Sequence, residues 1–173
     1  DQILPFSSWQ SEDPEKLWEW MGKYEEKTGG KVLAIPHNGN LSNGRMFEAV
    51  DFAGKPLTRD YAERRARWEV LQEVMQTKGN SETHPTLSPN DEFADYEKWD
   101  KANLNGTEVK KPEMFQYEYS REALKTGLKL EKQLGVNPFK FGMIGSTDAH
   151  TSLAAVEEEN FFGKHSGVEP GPH

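Results

Sequence analysis

The sequence predicts an α/β fold in which helices alternate with short parallel strands. Three observations carry that reading: segments with apolar residues at helical spacing alternate with brief apolar runs, glycines punctuate their ends, and the runs open into polar loops. With 173 residues the chain is long enough for one domain with its own core. Only 34% of its residues are hydrophobic, but five Trp, nine Phe and five Tyr supply bulky side chains to bury, so the chain reads as globular rather than disordered.

The first helix is expected to begin at Asp13-Pro14. Asp can cap it, Pro suits its first position, and Glu15 complements the positive end of its dipole. Leu17, Trp20, Met21 and Tyr24 recur at helical spacing, and Gly29-Gly30 stops the run. Val32-Leu33-Ala34-Ile35 then reads as a buried strand delivering the chain into the loop Pro36-His37-Asn38-Gly39-Asn40. A second helix starts at Thr58 with Tyr61, Arg65 and Trp68 on one side, the charged run 59–67 otherwise reading as a solvated face. Residues 71–78 suit either a continuation of that helix or a strand, and the strand is preferred. Turn and capping residues fill 81–100, and 103–112 reads as exposed loop. A third helix is expected over 120–134, with Leu124, Leu128 and Leu134 inward and Gly135 as its stop. A strand over 139–145, in which Phe139, Phe141 and Met143 alternate, opens into Thr147-Asp148-Ala149-His150. Ser152 is expected to cap a last helix over 153–160, and 164–173 forms a tail, leaving one domain over 1–163.

The formal charge of −8, from 29 acidic and 21 basic residues, repels nucleic-acid backbones and anionic lipid surfaces, so neither is an expected partner. A metal site can reverse the field locally for a small anionic substrate. The absence of Cys excludes disulfides, thiolate ligands and cysteine nucleophiles. No apolar run reaches the ~18 to 20 residues needed to span a bilayer, and no signal peptide begins the chain. The compartment stays open between bacterial periplasm and cytoplasm.

In α/β folds, sites form beyond the carboxyl ends of strands. His37 and the pair Asp148/His150 each follow an expected strand, so these side chains should converge on one edge of the sheet. Asp148 and His150 stand two residues apart, which on extended backbone points both the same way. A carboxylate oxygen beside an imidazole nitrogen suits zinc, manganese or iron rather than calcium. Glu82 and His84, at the same spacing beyond 71–78, are candidates to complete the set as ligands or proton handlers, and Asn38 and Asn40 as substrate donors. Each piece also has an ordinary reading: a solvated turn for Asp148/His150, a loop hydrogen bond for His37, a surface turn before Pro85 for Glu82/His84. A shared site requires the imidazoles of His37 and His150 to lie within about 7 Å, the span of ligands on adjacent metals. Ser146 and Ser152 are rejected as nucleophiles because GSTDAH lacks the elbow pattern.

The stretches IPHNGN, SETHP and FKFGMIGSTDAHTSL resemble a bacterial family of uncharacterised function related to the PHP (polymerase and histidinol phosphatase) superfamily. The resemblance implies a distorted (β/α)7 barrel whose strand ends hold divalent metals and hydrolyse phosphoesters. On it, His37 matches a lone-His ligand, Asp148 with His150 matches the closing D-x-H, and His84 is a candidate for another ligand position. The H-x-H that opens such barrels is absent. The chain is therefore expected to form part of the barrel, covering its open strand edges with the missing portion or a second copy. The expected function is a divalent-metal-dependent hydrolase, with a non-catalytic metal or phosphate-ligand binding module of incomplete cluster as the alternative.

Overall fold

The computed structural model describes residues 3–151, 157 and 159. Helix α1 (Pro14–Thr28) starts as its capping residues dictate: the Asp13 side chain accepts a hydrogen bond from the Glu15 amide at 2.9 Å, and Gly29 ends the helix at φ 70°. It buries Trp18 and Met21, while Leu17 and Trp20 pack at the margin. Helix α2 (Arg59–Trp68) is capped by Thr58, whose hydroxyl accepts from the Tyr61 amide at 3.2 Å, and buries Tyr61, Arg65 and Trp68. Arg65 is a core residue, on the side expected to carry Tyr61 and Trp68. Its guanidinium meets Glu69 at 2.9 Å, donates to the Met46 carbonyl at 2.8 Å and lies over the Phe139 ring at 4.7 Å.

Residues 71–78 do form a strand, β1 (Leu71–Gln76), which turns at Thr77-Lys78 and returns as β2 (Gly79–Asn80). After α3 (Ser120–Leu134), the short strand β3 (Gly142–Gly145) completes a sheet of order β2-β1-β3. β1 and β3 are parallel, and β1 and β2 antiparallel. The helices pack through a core of Trp18, Met21, Phe47, Tyr61, Trp68 and Phe139, with Ala123 and Leu130 from α3. Trp18 meets Tyr61 edge-on at 5.1 Å, and Phe47 meets Phe139 at 5.6 Å.

Among the described residues the sheet is three-stranded and mixed, which overturns the expected part of a (β/α)7 barrel. β1 cannot continue a parallel barrel on its β2 side, because its own hairpin occupies the downstream half of that edge. Upstream, the segment expected to be a buried strand over 32–35 lies there without forming one. Ala34 donates to the Trp68 carbonyl at 2.9 Å, Glu73 donates to the Pro36 carbonyl at 3.0 Å, and no continuous ladder links them. Leu33 and Ile35 are exposed. The strand expected over 139–145 is confined to its last four residues, because Phe139 is taken into the core and its amide is bound by the Asn137 side chain at 2.9 Å. The last helix over 153–160 and the tail fall outside the described residues, apart from 157 and 159.

The inward face of α3 differs in part from the expected leucine row. Ala123, Gly127 and Leu130 face the core and Leu134 packs at its margin, whereas Leu128 is exposed. Small residues win because the chain entering β3 passes close by: a Cβ on Gly127 would fall 2.2 Å from Asn137 Oδ1 and 3.1 Å from Phe139 Cβ. Gly127→Ala is therefore expected to lower the unfolding free energy by about 1–2 kcal/mol, overpacking outweighing the ~1 kcal/mol of helix propensity gained. Urea denaturation checks this, and a midpoint raised by the helix-propensity gain would show that Asn137 can leave its place at no cost.

Candidate metal centre

The parallel strands β1 and β3 end side by side, Met75 opposite Gly145, and the Ser146 amide donates to the Met75 carbonyl at 2.9 Å. Beyond that edge, Thr147 to His150 turn back on themselves. Ser146 and Thr147 accept from the amides of Asp148 and Ala149 at 3.3 and 3.1 Å, and Asp148 takes the left-handed conformation at φ 55°. That conformation is uncommon outside glycine but tolerated by Asp and Asn. It brings the Asp148 Oδ1 within 3.0 Å of His150 Nε2, while Oδ2 meets the Lys78 ammonium from the β1–β2 turn. Asp148 and Lys78 are largely buried; His150 is about half exposed.

On the other flank, Asn38 also adopts a left-handed conformation, φ 59°, and its side-chain Oδ1 accepts from Gln76 Nε2 at 2.5 Å. This ties the loop carrying His37 and Asn38 to the last residue of β1, two positions before Lys78. His37 itself is exposed, its Nδ1 3.4 Å from the Ile35 carbonyl oxygen. The loop after Ile35 and the loop after β3 are thus both anchored to the carboxyl end of β1.

The remaining candidates are engaged elsewhere. Asn40 is a buried clasp: its amide nitrogen donates to the carbonyls of Lys78 and Trp99 at 3.0 and 3.1 Å, and its oxygen accepts from Ser81 at 2.7 Å. Glu82 forms a forked ion pair with Arg121, at 2.6 and 2.8 Å, with Asp91 on the same guanidinium at 2.6 Å. His84 is buried, with Nε2 3.0 Å from Asp100, Nδ1 2.7 Å from the Thr86 hydroxyl, and its ring stacked on Phe115 at 4.2 Å.

A catalytic zinc-type centre ordinarily takes three protein ligands. The donor chemistry of Asp148 and His150 fits two of those positions, and the ammonium already placed on Asp148 shows that this carboxylate can hold a cation. Among the described residues no three His, Asp or Glu side chains are grouped closely enough to hold an ion. Sequence reasoning missed Lys78. The signal was present in Lys78-Gly79, a turn pair at the end of an expected strand, on the same edge as Asp148.

Residues 1–173 match the family model described as Protein of unknown function (DUF3604). No curated protein and no solved structure matches the chain.

Proposed function

The chain belongs to the DUF3604 family, and we propose that it contributes a divalent-metal centre to a hydrolase acting on phosphoesters. The observation that carries this reading is the Asp148 carboxylate at the end of β3, flanked by the His150 imidazole on one oxygen and the Lys78 ammonium on the other. The resemblance of IPHNGN and GSTDAH to PHP phosphoesterase segments supports it. A bound zinc, manganese or iron ion would supply hydroxide near neutral pH and stabilise charge on the transferred group. In this reading Asp148 and His150 hold the ion, and His37 on the adjoining loop is the next candidate ligand. Lys78 attracts the small anionic substrate, and the Gln76–Asn38 hydrogen bond keeps the His37 loop against β1.

A second reading, a metal or phosphate-ligand binding module without turnover, is favoured by one observation: no third ligand joins the pair among the described residues. One experiment on the full-length protein separates the two. Chelation is expected to abolish hydrolysis across a phosphoester panel, and zinc, manganese or iron add-back to restore it. Turnover unaffected by chelator removes the metal-hydrolase reading. Metal bound at a fixed stoichiometry without turnover selects the binding module.

A further inference from the structure

Next to Lys78 lies a second feature that the metal-centre reading does not use. A cavity of about 420 Å³ opens between the β1–β2 turn and the loop 98–106. That volume falls in the range of small-molecule sites. Its walls are fixed rather than accidental. Asn40, 1% exposed, binds the Lys78 and Trp99 carbonyls together and so pins one wall to the other. Gly79 sits at φ 99°, where a Cβ would fall 2.8 Å from the Glu97 carbonyl oxygen and 2.9 Å from Trp99 Cβ, so only glycine lets the loop approach this closely. The Asn80 amide donates to the Glu97 carbonyl at 2.9 Å, and Glu97 itself is held in the left-handed region at φ 49°. The far wall is joined to Leu41 through the Leu104 amide at 3.3 Å.

The lining combines two chemistries. Leu41, Ala102 and Leu104 give an apolar surface, and Trp99 stands about half exposed at its side with a ring available for stacking. Three of the lining residues are lysines, Lys78, Lys98 and Lys101, against one carboxylate residue, Asp100, which is engaged by His84 at 3.0 Å; the Lys78 ammonium is paired with Asp148. Lys98 is shared with Asp95 at 2.5 Å. In a chain of net charge −8 this is a local cationic pocket with an apolar wall. Lys78 belongs both to the cavity and to the Asp148 pair, so the cavity abuts the candidate metal centre.

We propose that this cavity is the substrate subsite and that the substrate class is a phosphate ester with a flat, aromatic body: the ring packs on Trp99, Leu41 and Leu104, and the phosphate reaches Lys78 with Lys101 beside it. The assignment of substrate to the metal centre rests on the proposed function, whereas occupancy of the cavity does not. Binding is therefore measured calorimetrically on the full-length protein in chelator, with phenyl phosphate, inorganic phosphate and phenol as probes. Phenyl phosphate is expected to bind at least about tenfold tighter than either fragment, since both chemistries of the lining are then satisfied at once. Trp99→Ala and Lys101→Ala alter exposed side chains and leave the core intact; each is expected to weaken phenyl phosphate about fivefold or more. Equal affinity for phenyl phosphate and inorganic phosphate, or affinity unchanged in both variants, overturns the proposal. Discrimination by the cavity without metal-dependent turnover sinks only the hydrolase reading, and metal-dependent turnover without aryl discrimination sinks only the subsite.

Discussion

Lys110→Met is expected to lower the unfolding free energy by about 3–5 kcal/mol at pH 8, the scale of breaking a buried ion pair on one side. The Glu118 side chain is fully buried, and the Lys110 side chain is 2% exposed. The Glu118 carboxylate meets the Lys110 ammonium and accepts from the Gly44 amide at 2.9 Å, while the Phe47 amide donates to the neighbouring Tyr117 carbonyl at 2.9 Å. This carboxylate therefore fastens the loop before Phe47 to the start of α3. Burial pushes the Glu118 carboxyl above the usual carboxylate range, against the opposing pull of Lys110. A folded-state value raised above the unfolded one means that the folded protein holds the proton more tightly. The stabilisation from protonation is then fully present below the unfolded value and is lost as pH rises through the folded one. Removing the ammonium deletes the main opposing pull, so the folded value climbs further and the window widens upward. The deficit of Lys110→Met should accordingly be smaller at pH 5 than at pH 8 in guanidinium titrations. Adding Glu118→Gln should recover much of the loss at pH 8, because no uncompensated charge remains. A deficit independent of pH would mean that Glu118 escapes to solvent in the variant.

The helices were legible because their ends are chemical: Asp13, Thr58, Gly29 and Gly135 each stop or start a helix through a local hydrogen bond or a left-handed backbone. Strands lack such punctuation, and here hydropathy misleads about them. The apolar run over 32–35 is only flanked by β1 and exposes Leu33 and Ile35, whereas the true strand LQEVMQ buries Gln72 and Gln76. The Gln72 side-chain nitrogen donates to the Glu73 carbonyl at 3.1 Å, while its buried oxygen has no partner among the described residues, an arrangement that no period-two pattern announces. The barrel expectation came from resemblance. Local pattern supported helices alternating with parallel strands, which the β1–β3 pair satisfies and the antiparallel β1–β2 pair does not.

The site divides along the same line. Asp148 and His150 follow the end of β3 and reach β1's end through Lys78, whereas Asn38 is held there by Gln76 although no strand precedes it. Glu82 and His84 do not, because the chain turns at Lys78 and runs back as β2. That reversal carries them to the start of α3, where the Ser120 amide donates to the Ser81 carbonyl at 2.9 Å and the Arg121 amide to the Glu82 carbonyl at 3.0 Å. One hairpin thus separates two residue pairs of identical spacing, a difference invisible until the turn is placed.

Asp148→Asn should weaken zinc or manganese binding by the full-length protein about 100-fold or more, the scale expected for losing a charged ligand. Asn is the apt replacement, since it is nearly isosteric and tolerates the left-handed conformation that Asp148 adopts, so the loop keeps its shape. Lys78→Met is expected to act in the opposite sense. The Lys78 ammonium already neutralises Asp148 in a largely buried setting, and an incoming divalent ion must compete with it. Removing that ammonium, with the aliphatic stem kept, should tighten metal binding about fivefold to tenfold while weakening phenyl phosphate in chelator. Equilibrium dialysis with manganese reads the first effect and calorimetry the second, neither depending on turnover. A folding defect would weaken both ligands in both variants. Opposite signs for the two substitutions on the metal can arise only if the ion and the ammonium contend for the same carboxylate, and equal metal affinity in both would place the ion somewhere other than Asp148.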